Sequence, residues 1–175
     1  EGDEGRQAKQ RDLHDLATAA GVSWLEVDRA AIEALSETFT SQGVVAVCSL
    51  VTVPPTCTGT LIAAGVQVRD PGNVGTLIRT ADAAGAAAVV TTENSADPFG
   101  LKAVRSSAGS VFHLPPPAWD DRSPTALIAR LQRENVPIVL ATAHNGESYA
   151  KFAWPQRCAL VLGHETRGVA AEWEQ

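Results

Sequence analysis

From residue 61 onward the sequence alternates short apolar, β-branched runs with helix-like segments, and this alternation restricts the fold more than any other feature. Strands are expected at residues 61–68, 87–91, 111–114, 137–142 and 159–162. Helices are expected at residues 74–84, capped by Asn73 and closed by Gly85, at 98–107 and at 124–134. Repeated strand–helix–strand units imply an α/β fold with a parallel sheet covered on both faces. Ligands of such sheets bind beyond the carboxyl ends of the strands. Three loops are therefore of interest: residues 69–73, 142–148 and 163–168.

The front of the chain is patterned differently. Polar residues enter a first helix that should end at Gly21. A short strand at 23–27, a helix at 29–37 capped by Asp28, and a buried strand at 43–48 are expected to follow. The Pro-, Thr- and Gly-rich stretch 52–60 reads as a linker. The expected organisation is thus a small α/β unit over 1–51, the linker, and a larger domain over 61–175.

Composition narrows the function classes. The net charge of -6 argues against a general basic field for nucleic acid, though not against a local basic patch. No apolar stretch reaches membrane-spanning length and no signal peptide is visible. Cys48, Cys57 and Cys158 are scattered without metal-ligand spacing, so no metal is expected and a reducing cytoplasm is the simplest compartment.

Three segments could carry chemistry. In Asp70-Pro71-Gly72-Asn73-Val74-Gly75-Thr76-Leu77-Ile78-Arg79, a turn enters a helix whose free N–H groups favour an anion. Arg79, on a helix otherwise rich in Ile, Leu and Ala, calls for a carboxylate or phosphate. An N-cap followed by a surface arginine is the plainer alternative. In Leu160-Val161-Leu162-Gly163-His164-Glu165-Thr166-Arg167-Gly168 a strand runs into a glycine turn bearing a carboxylate, and the glycines permit close backbone approach to a ligand. An ordinary turn with a solvated Glu165 fits equally. In Val104-Arg105-Ser106-Ser107-Ala108-Gly109-Ser110, hydroxyls beside an arginine could bond phosphate or ribose, or simply end a helix. Neither a P-loop nor a dinucleotide fingerprint occurs.

The order of these segments is more specific than any one of them. DPGNVGTLIRTADAAGA, then VRSSAGSVFHLP, then LVLGHETRG closely resembles the SpoU/TrmH branch of the SPOUT RNA methyltransferases. SETFTSQGVVAV is similar to the end of the ribosomal-protein-like RNA-recognition domain that precedes the catalytic domain in many members, so the resemblance runs from about Trp24 onward.

The resemblance implies a SPOUT α/β-knot with a deep trefoil knot, a homodimer with the active site at the subunit seam, and S-adenosyl-L-methionine bent in the knot. Backbone groups around Thr142, Ala143, Leu162, Gly163 and Gly168 would hold that cofactor. Asn73, Arg79 and Glu165 match the family's catalytic positions. Arg69, Lys102, Arg105 and Ser107 are the expected RNA contacts, with Arg79 and Arg167 in the same groove. The family's third motif, which completes the knot, would follow the second. It is not among the residues up to Gln175, so this stretch by itself is expected to lack part of the cofactor pocket and to be inactive.

The function so implied is 2′-O-methylation of a ribose in structured RNA, with rRNA expected as the substrate. The alternatives are a tRNA ribose methyltransferase, or a non-catalytic RNA-binding protein on the same fold.

Overall fold

A computed structural model describes residues 2–36, 41–50, 53, 59–142, 146–164, 168 and 173. The chain divides into two compact units, Glu1–Ser49 and Leu50–Gln175.

In the first unit, α1 (Gly2–Ala19) ends before Gly21, whose φ of 69° is the left-handed conformation that glycine adopts freely. Helix α2 (Arg29–Leu35) begins where the Asp28 side chain accepts a hydrogen bond from the Ala31 amide at 2.8 Å. The two strands expected at 23–27 and 43–48 do not form: none of the described residues of this unit is in a strand. Several of their apolar side chains face solvent, Leu25 being 82% exposed and Val47 fully so. An alternating segment becomes a strand only when another edge takes up its backbone groups, and neither segment has such a partner among the described residues.

In the second unit, β1 (Leu61–Gly65), β2 (Ala88–Thr91), β3 (Ile138–Ala141) and β4 (Cys158–Leu162) form one sheet in the order β2-β1-β4-β3. Every pairing is parallel. Side chains alternate between the two faces. Ile62, Ala64, Val90, Ala159 and Val161 pack with Leu127, Leu131 and Val136, from α6 (Pro124–Arg133) and the turn after it. Ala63 and Val89 point the other way, into a cluster with Val74, Ile78 and Ala81 of α3 (Pro71–Ala83), Ala103 of α4 (Leu101–Ser106) and Val111 of α5 (Ser110–His113). Both faces are covered, as near-continuous apolar strands require.

Two local expectations are corrected. Helix α3 starts three residues early. Its cap is Asp70, which accepts from the Asn73 amide at 3.1 Å, and Pro71 occupies the first turn, where its fixed φ suits the helix. The strand expected at 111–114 is the helix α5. Ala108 (φ 51°) and Gly109 (φ 93°) turn the chain back after α4, so Val111 drops into the α3-side cluster. An apolar run this short fits one helical turn as well as a strand.

Candidate functional site

The site follows from strand order. Strand β4 lies between β1 and β3, and all three point the same way, so the loops leaving them emerge side by side. The register aligns Gly65 of β1 and Ala141 of β3 with Leu162 of β4. With neighbouring strands about 4.8 Å apart, the two outer loops start only about 10 Å from each other. Residues almost a hundred positions apart in sequence thereby come side by side: the exits of β1 toward α3, of β3 at Thr142, and of β4 at Gly163.

The first loop is held tightly. After β1 the Val66 amide donates to the Leu162 carbonyl at 2.8 Å. Gln67 stands at φ 53°, and its amide donates to the Thr92 hydroxyl at 3.1 Å. The Val68 amide donates to the Ser95 hydroxyl at 3.2 Å, and the Val68 carbonyl accepts from Ala96 at 2.8 Å. This fixes the approach to Asp70. One oxygen of Asp70 caps α3 and the other accepts from Lys102 at 2.9 Å. The Lys102 hydrogen bond, then the Asn73 amide, holds the Asp70 carboxyl below the usual carboxylate range.

Helix α4 seats directly on α3 at Gly75. A Cβ there would collide with the Ser106 hydroxyl, the Ala103 carbonyl and the Ser107 amide. The glycine in the middle of the motif is therefore a contact surface between helices, not a ligand contact.

The outer face of α3 is open. Asn73, Thr76, Arg79, Thr80 and Ala83 are all exposed. At 100° per residue they share one arc of roughly 120°, with Asn73 and Arg79 at its two edges and about 9 Å of rise between them. Among the described residues none hydrogen-bonds or ion-pairs with the Arg79 guanidinium.

The third loop folds on itself. His164 and Gly168 exchange backbone hydrogen bonds at 2.9 and 2.8 Å, and Gly168 takes φ 67°. Leu162 and Gly163 are half-buried at the mouth of the sheet. Glu165, Arg167 and Ala143 lie outside the described residues.

Beyond β3 lies a cleft of about 730 Å³, walled by Val139, Leu140, Tyr149, Phe152 and Trp154, with Thr142 and Ser148 among its polar groups. Apolar walls with a few polar groups suit a nucleoside-sized ligand. Thr142 of the expected cofactor set lines it; Leu162, Gly163 and Gly168 do not.

Among the expected RNA contacts, Arg69 and Arg105 are exposed and Lys102 is paired with Asp70. Ser107 is corrected: it is fully buried, and its hydroxyl donates to the Val104 carbonyl at 2.7 Å, so it presents nothing to a substrate. Sequence reasoning missed Asp70, although an Asp-Pro pair before an apolar helix is a readable start signal. It also missed Thr92 and Ser95, whose role depends on tertiary contact and leaves no local trace.

The SpoU rRNA methylase family model matches residues 60–175, and the RNA 2′-O ribose methyltransferase substrate-binding model matches residues 2–54. The chain belongs to the SpoU rRNA methylase family. Its second unit has the parallel-sheet α/β fold of the SpoU methyltransferase structures.

A SpoU relative from Bacillus subtilis (strain 168), the 23S rRNA (guanosine(2553)-2′-O)-methyltransferase RlmP, is 37% identical over 157 residues, covering 90% of this chain and 61% of the relative. The chain thus spans about three-fifths of that protein's length. A Streptomyces viridochromogenes 23S rRNA (uridine(2479)-2′-O)-methyltransferase is 37% identical over 108 residues, 59% of this chain and 37% of the relative. Among solved structures, the AdoMet-bound rRNA methyltransferase from Sinorhizobium meliloti superposes with a TM-score of 0.73 at 30% identity, over 95% of this chain and 65% of that one.

Proposed function

We propose that the whole protein transfers a methyl group from S-adenosyl-L-methionine to a ribose 2′-hydroxyl of structured RNA, with rRNA as the substrate class. Family membership supports the reaction class, and the names of the relatives favour rRNA over tRNA. The observation that carries the proposal is that the exits of β1 toward α3, of β3 at Thr142 and of β4 at Gly163 lie side by side at the ends of three adjacent strands.

S-adenosyl-L-methionine supplies a methyl group on a sulfonium, which needs little help as a leaving group. Thr142, Ala143, Leu162, Gly163 and Gly168 would hold it. The harder part is the ribose hydroxyl, a weak acid that must shed its proton near the transition state. A guanidinium serves as a cation rather than as a base, and that is the role given to Arg79. It binds the neighbouring phosphate and stabilises developing alkoxide charge, while water or the phosphate accepts the proton. Asn73 orients the ribose or Arg79 from the other edge of the α3 face, and Glu165 orients Arg79.

Arg69 and Arg105 supply exposed charge for the RNA backbone. Lys102 can join them, because an ion pair as open to solvent as Lys102–Asp70 is weak and yields to a phosphate. The open α3 face is where a second copy would close the site as a homodimer. The trefoil knot and a cytoplasmic location belong to the same proposal.

Ribose methylation of rRNA by the whole protein tests it. Arg79→Ala is expected to lower turnover by about 10²-fold or more. Arg79→Lys keeps the charge but loses the planar fork; near-normal turnover would exclude bidentate positioning. A non-catalytic RNA binder would take up no S-adenosyl-L-methionine in calorimetry, and transfer to tRNA alone would overturn the substrate class.

A further inference from the structure

We propose that Arg122, outside every motif of the family resemblance, is the positioning residue for the turn that launches α3. This rests on the catalytic reading of Asn73 and Arg79 given above.

Arg122 sits in the segment before α6 and reaches over the end of β2. Its Nε donates to the Thr91 carbonyl at 3.1 Å. One Nη donates to the Thr91 hydroxyl at 2.8 Å and to the Thr92 carbonyl at 3.3 Å. Its own carbonyl accepts from the Glu93 amide at 2.7 Å. One side chain and one peptide group thus grip three consecutive residues. Both Thr91 and Thr92 are buried, Thr92 to 1% exposure.

What Arg122 grips is what holds the catalytic turn. The Thr92 hydroxyl accepts from the Gln67 amide, and the Thr92 carbonyl accepts from Ser95, whose hydroxyl accepts from Val68. Gln67 stays at φ 53°, a conformation that is unfavourable for a residue with a Cβ and persists only where neighbours enforce it. Gln67 and Val68 then lead through Arg69 to Asp70, the cap of α3. Hydrogen bonds run from Arg122 to the 91–95 loop and on to Gln67 and Val68, and the backbone carries that constraint through Arg69 and Asp70 to the helix that bears Asn73 and Arg79. A planar guanidinium with several fixed donors can bind two carbonyls and a hydroxyl at once; an ammonium cannot do so in this geometry.

The test is Arg122→Ala in the whole protein, read by amide hydrogen exchange and by kinetics on rRNA. Exchange at Gln67 and Val68 is expected to rise roughly 10-fold or more as the loop loosens. Val66 should be unchanged, because its amide donates to Leu162 and not to the gripped loop. The kcat should fall about 10-fold with KM for RNA within about twofold, since misplacement of a reacting group affects the transition state more than binding. Millimolar methylguanidinium should restore part of both effects. Arg122→Lys keeps the stem and charge, should fall between wild type and Arg122→Ala, and carries the test if the alanine variant does not fold.

Unchanged exchange at Gln67 and Val68, or equal acceleration at Val66, overturns the inference. So does accelerated exchange at Gln67 and Val68 with unaltered kcat. A wild-type protein that transfers no methyl group overturns the catalytic reading instead, and the exchange data still decide whether Arg122 holds the turn.

Discussion

The two units carry similar apolar alternation but put it to different use. In the second unit Ile62, Ala63, Ala64, Val89 and Val90 are all buried, because every strand segment lies beside another and helices close both faces. In the first unit Leu25, Val45 and Val47 sit in segments of the same character, yet they are exposed and unpaired among the described residues. Periodicity states which side of a strand is apolar; it does not supply the neighbour that makes the strand.

The sharpest way to break this comparison is to shorten one leucine in each unit. Leu131 is completely buried against the sheet, and Leu131→Ala should cost about 2–5 kcal/mol, the usual penalty for emptying a core site. Leu25 is 82% exposed, and Leu25→Ala should change stability by no more than about 0.5 kcal/mol. Urea denaturation followed by circular dichroism measures both. Equal losses would mean that Leu25 is covered in solution, and the contrast between the units would fail.

A pair of glycines sharpens the same contrast at smaller scale. Gly75 lies mid-helix where α3 and α4 touch, with no room for a methyl group. Gly75→Ala should destabilise by about 1–3 kcal/mol as the helices are pushed apart. Gly5 lies in α1 with open space, among the described residues, where a methyl group would stand. Gly5→Ala should stabilise by up to about 1 kcal/mol, through helix propensity alone. Thermal unfolding of the two variants should therefore shift in opposite directions, and a shared sign would refute the packing difference.

The legible part of the molecule follows from the same distinction. Local chemistry with a fixed spacing was readable: Asp28 as a cap, Gly21 and Gly85 as helix ends, and the alternation that yields β1, β2, β3 and β4. The strand ends that lead into the expected ligand loops do lie together, because parallel strands place their carboxyl ends on one side. What was not readable depends on contacts between distant residues. Ser107 looks like a substrate hydroxyl until the packing of α4 buries it. The 111–114 run looks like a strand until Gly109 turns it into α5. Arg122 has no local signature, since its partners lie about thirty residues away in sequence.

The smallest expected effect concerns two exposed ion pairs. Arg29 and Glu33 stand four residues apart on α2 at 2.6 Å, so their pairing stiffens one helical turn and nothing else. Asp70 and Lys102 stand 32 residues apart and tie the first turn of α3 to α4. The Asp70 pKa is lowered in the fold, chiefly by Lys102 and then by the Asn73 amide. A lowered carboxyl pKa gives stability that is present above the unfolded value of about 3.9 and is lost as pH falls through the folded value. Asp70→Asn keeps an acceptor for the Asn73 amide but removes the attraction to Lys102. The variant should melt slightly below wild type at pH 7, and the two should converge as pH drops below about 4. Adding salt at pH 7 should narrow the gap, because the pair is open to solvent. Melting curves that stay parallel across this range would show that Lys102 contributes nothing to the cap. In that case Lys102 would be as available to an RNA phosphate as Arg69 and Arg105, and α4 would be held to α3 by the Gly75 contact, the Ser106 hydroxyl on the Pro71 carbonyl and the buried side chains.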